Sequence, residues 1–220
     1  PISDDGRMVT GDAWNLSCDF LAVSGGWSPN VHMHSHAGGR PVYKKEITAF
    51  VPGESRQSER SAGASAGVLG LAECLTQGAA IGAEAASLLG FGAKTIEVPK
   101  SEALDTTPVK VLWRVPGPGK KYVDLQDDVT SSDVELAHRE GYISVEHLKR
   151  YTTLGMGTDQ GKTSNMNGHA IMAEERGESI EAVGTTMFRP PYNPVSFGAL
   201  GGRDIGMHFS PTRRTAMHDW

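Results

Sequence analysis

Apolar positions fall into short unbroken runs in some stretches of this chain and recur at helical spacing in others. Residues 18–24, Cys-Asp-Phe-Leu-Ala-Val-Ser, form one such run. It stops at Gly25 and Gly26, with Pro29 soon after, so it reads as a buried strand entering a loop. Residues 47–52 carry a second strand signal. From Ser61 the pattern becomes helical and continues through Leu88, with Leu69, Ala72, Cys74, Leu75, Ala79 and Ala83 on the apolar face. Residues 95–120 read as a linker holding one strand, 109–115, broken by Pro116-Gly-Pro-Gly119. That change in composition predicts a domain boundary between about 99 and 121.

The stretch after Lys121 carries stronger local signals. Thr130-Ser-Ser-Asp133 has the form of a capping box before an apolar-periodic helix, and Gly141 stops that helix. Ser144-Val-Glu146 opens a second helix in the same way, through Arg150. Gly155-Met-Gly157 and the residues up to Gly161 make a tight glycine loop, and a third helix is predicted over 167–175. Arg189-Pro-Pro-Tyr-Asn-Pro194 reads as extended.

Composition narrows the class. Of 220 residues, 38% are hydrophobic, too many for a disordered chain, yet no apolar run reaches the ~20 residues of a membrane span. A net charge of −5 speaks against a nucleic-acid surface. Two cysteines, Cys18 and Cys74, are too few for a disulfide scaffold or a four-thiolate site. Their apolar contexts predict buried, inert thiols. No secretory signal pattern opens the chain, so a cytoplasmic setting is expected. Pro1 and Trp220 both read as cuts through a longer chain.

Three places could carry chemistry. The small residues Gly63 and Ala64 stand where the helical pattern opens, and Gly25 and Gly26 stand at a strand's carboxyl end, where α/β sheets place ligands. A helix N-terminus there suits a phosphate, but from the pattern alone a Gly/Ala-rich helix packed tightly on a sheet is the preferred reading. His32, His34 and His36 alternate, so on a strand they would share one face and could seat a transition metal. No Cys, Asp or second His cluster lies near enough to complete such a shell, and polar residues beside a ligand cleft are the preferred reading; no metal site is assigned. The loop around Gly155, with Gln160, Lys162 and Thr163, has the composition to hold a phosphate or another polar cofactor group, or to be a plain turn. It lacks the Walker spacing.

Several motifs together resemble the alpha subunit family of heterotetrameric sarcosine oxidase. They are Ala22-Val-Ser-Gly-Gly-Trp-Ser-Pro29 with Val31-His-Met-His-Ser35, Tyr122-Val-Asp-Leu-Gln-Asp-Asp-Val129, the run from Glu146 to Lys162, Arg189-Pro-Pro-Tyr192, and the run from Pro211 to Trp220. The resemblance implies an α/β chain in which 1–100 are the C-terminal part of an FAD/NAD(P)-binding (two-dinucleotide-type) domain and 101–120 a linker. Residues 121–189 would be a small, mostly helical connecting domain, and 190–220 an extended segment leading to a folate-binding domain. It further implies NAD lined by Ala64, Leu69 and Leu71, the last standing where a smaller or polar residue is expected.

The connecting domain resembles the cluster-binding domain of bacterioferritin-associated ferredoxin. Its four ligand positions fall here on Asp124, Gln126, Asp159 and Ser164, none a thiol, so no iron–sulfur cluster is expected. Those four residues are expected to bond to backbone or to a flavin-bearing partner subunit.

The activity implied is oxidative demethylation of sarcosine to glycine. Electrons would pass through FAD and FMN to oxygen, and the methylene unit would go to tetrahydrofolate. Beta, gamma and delta subunits would be partners, the residues that perform the oxidation would lie on another subunit, and Gln160, Lys162 and Thr163 would contribute to the FMN surroundings. An opine or amino-acid dehydrogenase alpha subunit, or a non-catalytic NAD-binding or assembly module, are the alternatives.

Overall fold

The computed structural model describes residues 2–3, 8–12, 14–92, 96–102, 110–202, 204, 206 and 213–219. Residues 211, 212 and 220 of the terminal motif, and Val109 of the strand expected in the linker, lie outside them. Packing divides the chain into two units, Pro1–Arg189 and Pro190–Trp220.

The strand expected over 18–24 does not form. Those residues are exposed coil: Phe20 is 83% exposed, Val23 81%, and Cys18 is exposed rather than buried. An apolar run becomes a strand only against a neighbouring strand and a covering layer, and no described residue supplies either. The histidine row is likewise helical rather than extended. His32–His36 forms a short helix, α1, with Ser35 N–H donating to Val31 O at 3.0 Å. His32, His34 and Ser35 are buried and Met33 is exposed.

β1 (Val42–Lys44) and β2 (Ala49–Val51) pair antiparallel, with Tyr43 opposite Phe50. All three residues of β2 are buried, matching the second strand signal. The helical pattern from Ser61 resolves into a 3-10 turn, Gly63–Ala66, and α2, Leu71–Leu88. Gly67 separates them at φ 79°, and a Cβ there would collide with Val51 and Ile47, so only glycine fits the turn. The expected apolar face of α2 (Ala72, Cys74, Leu75, Ala79, Ala83) is its half-buried side, but no residue of α2 is fully buried.

Residues 110–115 form no strand. Side chains anchor this segment instead: Trp113 packs on the core, and Arg114 pairs with Glu135, Glu174 and Glu175, each at 2.9 Å.

Beyond it, cap chemistry sets the elements. β3 (Tyr122–Asp124) pairs antiparallel with β4 (Val129–Thr130). Thr130 then caps α3 (Ser131–Arg139): its N–H and hydroxyl both donate to Asp133 Oδ2 at 2.7 Å. α4 (Val145–Thr152) is capped by Ser144 Oγ accepting from Glu146 N. α5 (Asn165–Arg176) ends at Gly177, φ 64°, and α6 (Ile180–Val183) follows.

Val134, Leu148, Leu154 and Met172 are wholly buried between these helices and the β3–β4 hairpin. Each contributes about 1.5–3 kcal/mol of transfer free energy. Residues 168–173 of α5 are buried without a break, so α5 is the central helix of this part. The sheets are two-stranded and antiparallel, and the architecture is mixed α/β. In the second unit, α7 (Phe197–Gly201) starts at Ser196, whose Oγ accepts from Ala199 N. No described helix is long and apolar enough to cross a membrane.

Candidate functional site

The four residues on the expected cluster-ligand positions come together in one hydrogen-bond network. Asp124, at the end of β3 and 1% exposed, accepts from Gly155 N at 2.8 Å, Gln126 N at 2.9 Å and Ser164 Oγ at 3.1 Å. Gln126 Oε1 accepts from Thr158 Oγ1 at 3.0 Å and Asp159 N at 3.3 Å. Asp159 accepts from Gly161 N and Thr163 N, each at 3.0 Å, and from the Thr163 hydroxyl. Burial alone would raise the Asp159 carboxyl, but these donors outweigh it and hold it below the usual carboxylate range. Two glycines make the loop possible. Gly155 and Gly161 take φ 70° and 75°, and both lie against the Asn165 side chain with no room for a Cβ.

The residues expected around FMN sit in this same loop. Gln160 Nε2 donates to Gly157 O and Lys162 Nζ to Asp159 O, while Thr163 is turned onto Asp159. The loop's far end borders a cavity of about 110 Å³. Residues 28–32 form one side, Phe50 of β2 and Phe188 two others, and Gly161, Lys162, Asn165 and His169 the side given by the loop and α5.

His32 bridges the two sides. Its ring stacks on Phe188 with centroids 3.8 Å apart, and Nε2 donates to Gln160 O at 2.9 Å. Burial pushes its pKa down, partly offset by that carbonyl. His169 is wholly buried. Burial, then the charge of Lys149, lowers its pKa to about 3, so the ring is neutral. Neither of its ring nitrogens has a hydrogen-bond partner. Asn165 Nδ2 donates to Thr186 Oγ1 at 3.3 Å, and its Oδ1 has no partner.

The histidine row does not converge on one point. His34 Nδ1 donates to Glu59 Oε1 at 2.7 Å and its Nε2 accepts from Gly53 N at 3.1 Å, whereas His32 faces Gln160. Among the described residues no group of three or more His, Cys, Asp or Glu could hold a metal ion.

The expected NAD residues lie in one continuous stretch. Gly63 and Ala64 are in the 3-10 turn, Leu69 precedes α2, and Leu71 is its first residue, 60% exposed. Gly63 N donates to Gln77 Oε1 at 2.7 Å, tying the turn to the next helix. A groove beside it is lined by Val68, Ala72, Thr76 and Ala80. Glu73 folds its carboxylate against Gly70, so an acidic side chain already complements the positive end of α2. Gly25 and Gly26 lie in the exposed coil, with open space around both.

Asn165 and His169 were not singled out by the sequence reading. Their signal is a lone histidine heading the apolar run His169-Ala-Ile-Met-Ala173, four residues after an asparagine on the same helix face.

The hairpin, capped helices and glycine loop just described fall within residues 118–203, which match the family described as "Sarcosine oxidase A3 domain". At 46% identity over 208 residues, the chain is similar to sarcosine oxidase subunit alpha of Rhizobium meliloti (strain 1021), and at 43% over 225 residues to that of Corynebacterium sp. (strain U-96). These matches cover 93% and 98% of this chain. Along nearly its whole length the chain is thus similar to sarcosine oxidase alpha subunits, which its motifs resemble. It spans 21% and 23% of the length of these two relatives. Among solved structures it is similar in fold to L-proline dehydrogenase from P. horikoshii, with TM-score 0.57 and 21% identity over 79% of this chain and 37% of that one.

Proposed function

We propose that this chain is part of the alpha subunit of a sarcosine oxidase, an oxidoreductase acting on CH–NH donors. The observation that carries this reading is the 46% identity to an alpha subunit along 93% of the chain. The whole enzyme demethylates sarcosine to glycine, passes electrons through FAD and FMN to oxygen, and hands the methylene unit to tetrahydrofolate. Beta, gamma and delta subunits complete it in the cytoplasm, and the residues that oxidise the amine lie on another subunit.

Within this chain, residues 1–100 contribute the C-terminal part of an NAD-binding domain, with Ala64, Leu69 and Leu71 as part of its wall and Gly25, Gly26 and Gly63 near the cofactor. Residues 101–120 link it to the small helical domain of 121–189, and 190–220 lead on towards a folate-binding domain. Gln160, Lys162 and Thr163 belong to the FMN surroundings.

The Asp124–Gln126–Asp159–Ser164 network supports a ferredoxin-like scaffold whose cluster is replaced by hydrogen bonds. Iron–sulfur clusters need thiolates, and these oxygens are already engaged with backbone and hydroxyl donors.

The test is sarcosine-dependent oxygen uptake by the full-length protein co-expressed with its partner subunits. Turnover of sarcosine with glycine as product is expected; oxidation of another amino acid in its place would overturn the substrate assignment. Elemental analysis is expected to find no iron belonging to this chain, and a stoichiometric amount would refute the cluster-free scaffold.

A further inference from the structure

α4 buries one face and leaves the other uncovered. Val145 and Leu148 are buried, whereas His147, Arg150 and Tyr151 stand on the opposite side at helical spacing and are exposed. Neighbouring segments widen that outer face. On one edge Tyr142 stacks on Tyr151, with ring centroids 4.6 Å apart. On the other, Met187 N donates to Glu146 Oε1 at 2.6 Å and fastens the segment running to Arg189 beside the helix. Tyr142, Ile143, Tyr151 and Met187 are all exposed. Tyrosine, arginine and methionine are the residues that protein interfaces favour.

Charge on this face is one-sided. Glu146 is taken by Arg150 at 3.1 Å and by Met187 N, and Glu140 accepts from the Tyr151 hydroxyl at 2.8 Å. Among the described residues, Lys149, Arg189 and Arg139 have no hydrogen bond or ion pair of their own. Lys149 is half-buried and lies in the fields of Arg189 and Arg150; burial, then those two charges, lowers its pKa against the pull of Glu146. Arg139 lies near enough for its charge to act on Tyr151. Gathered like charges repel, and an incoming anion relieves them. The chain as a whole carries −5, so this face runs against the sign of the molecule.

We infer that the outer face of α4 docks an acidic segment of another polypeptide chain, whose carboxylates meet Lys149, Arg189 and Arg139 and whose apolar side chains cover Tyr142 and Tyr151. An arginine fork takes a carboxylate through two parallel N–H···O bonds, and Lys149 adds a point charge beside it. The exposed apolar positions favour a polypeptide over a bare anion. The tyrosine rings are closed on each other rather than splayed to receive bases, and the chain's net charge repels a polyphosphate backbone, so a nucleic acid fits less well. The inference stands on this chain's residues whether or not the enzyme oxidises sarcosine.

Two measurements on the full-length protein test it, and failure of either overturns it. The first is fluorescence polarisation of a labelled Glu–Leu oligopeptide, with a single-stranded oligonucleotide as competitor. Saturable, salt-weakened binding is expected, about tenfold weaker in Lys149→Gln/Arg189→Gln and weakened severalfold by Arg189→Gln alone, which alters an exposed side chain only. Lys44→Gln/Lys45→Gln changes the net charge equally on exposed side chains and should leave affinity unchanged. No binding, equal affinity in the Lys149/Arg189 variant, or displacement by the oligonucleotide as strong as by unlabelled peptide overturns the inference. The second is carbodiimide cross-linking after co-expression with the partner subunits, which should join Lys149 to a carboxylate of a different chain. No link at Lys149, a link within the same chain, or a link to a second copy (told apart by mixing in isotope-labelled protein) overturns it. Sarcosine turnover, measured separately, bears on the enzyme assignment alone.

Discussion

Asp124→Ala should open the glycine loop while leaving the helices around it closed. The carboxylate is 1% exposed and accepts from Gly155 N, Gln126 N and Ser164 Oγ. Removing it strands the Gly155 amide and the Ser164 hydroxyl in a buried setting, at about 1–3 kcal/mol each. Loss of the carboxylate's own desolvation penalty works the other way. A net of about 3 kcal/mol is expected, or roughly a hundredfold in the opening equilibrium of the loop.

Hydrogen exchange read by mass spectrometry reports that equilibrium directly. Peptides covering 153–164 should exchange roughly a hundredfold faster in Asp124→Ala, and by less in Asp124→Asn, which keeps one acceptor oxygen. The exposed Asp127→Ala is the control and should leave exchange unchanged. Unaltered protection at Gly155, or an equal loss in α3, would refute the reasoning. The first outcome would mean that Asp124 does not hold the loop, the second that it holds the whole fold.

Other consequences follow from single side chains. His169 is neutral in the fold down to about pH 3 but protonates near 6.5 when unfolded. The unfolded chain therefore binds more protons between those values, and stability falls as pH drops from 6.5 towards 3, by on the order of 1 kcal/mol per unit. Thermal midpoints should fall more steeply between pH 6.5 and 5 in the natural sequence than in His169→Gln; parallel slopes would count against a buried neutral ring. Gly39 lies against the His34 ring, which Glu59 and Gly53 fix at both nitrogens. Gly39→Ala should cost about 1–3 kcal/mol in denaturant unfolding, since the ring cannot yield. Arg114→Met leaves Glu135, Glu174 and Glu175 facing one another. The groups are partly exposed, so the loss should be about 1 kcal/mol or less and should shrink at high salt, as melting at two ionic strengths would show.

What could be read from the sequence was what local chemistry determines. Thr130 with Asp133, and Ser144 ahead of Glu146, mark helix starts through bonds made within four residues, and α3 and α4 begin there. Gly67 escaped notice because its role depends on Val51 and Ile47, distant in sequence, and so the long helical pattern split in two. Residues 18–24 carry an apolar pattern that only a neighbouring strand could turn into structure. The histidine alternation fitted a strand, but five residues of mixed polarity contain too little periodicity to choose, and backbone bonds from Ser35 and Ala37 made a helix. His169 was hidden because a histidine within an apolar run gives no sign of whether its ring finds a partner.

The network around Asp124 also bears on how this protein reaches its working form. A loop fastened by carboxylates, an amide and hydroxyls closes as the polypeptide folds. None of its four side chains is a thiol, so no cysteine has to be kept reduced for it to close. Air has nothing there to corrode. The loop's integrity therefore does not depend on the redox state of the surroundings, as that of a fastening built on thiolates would.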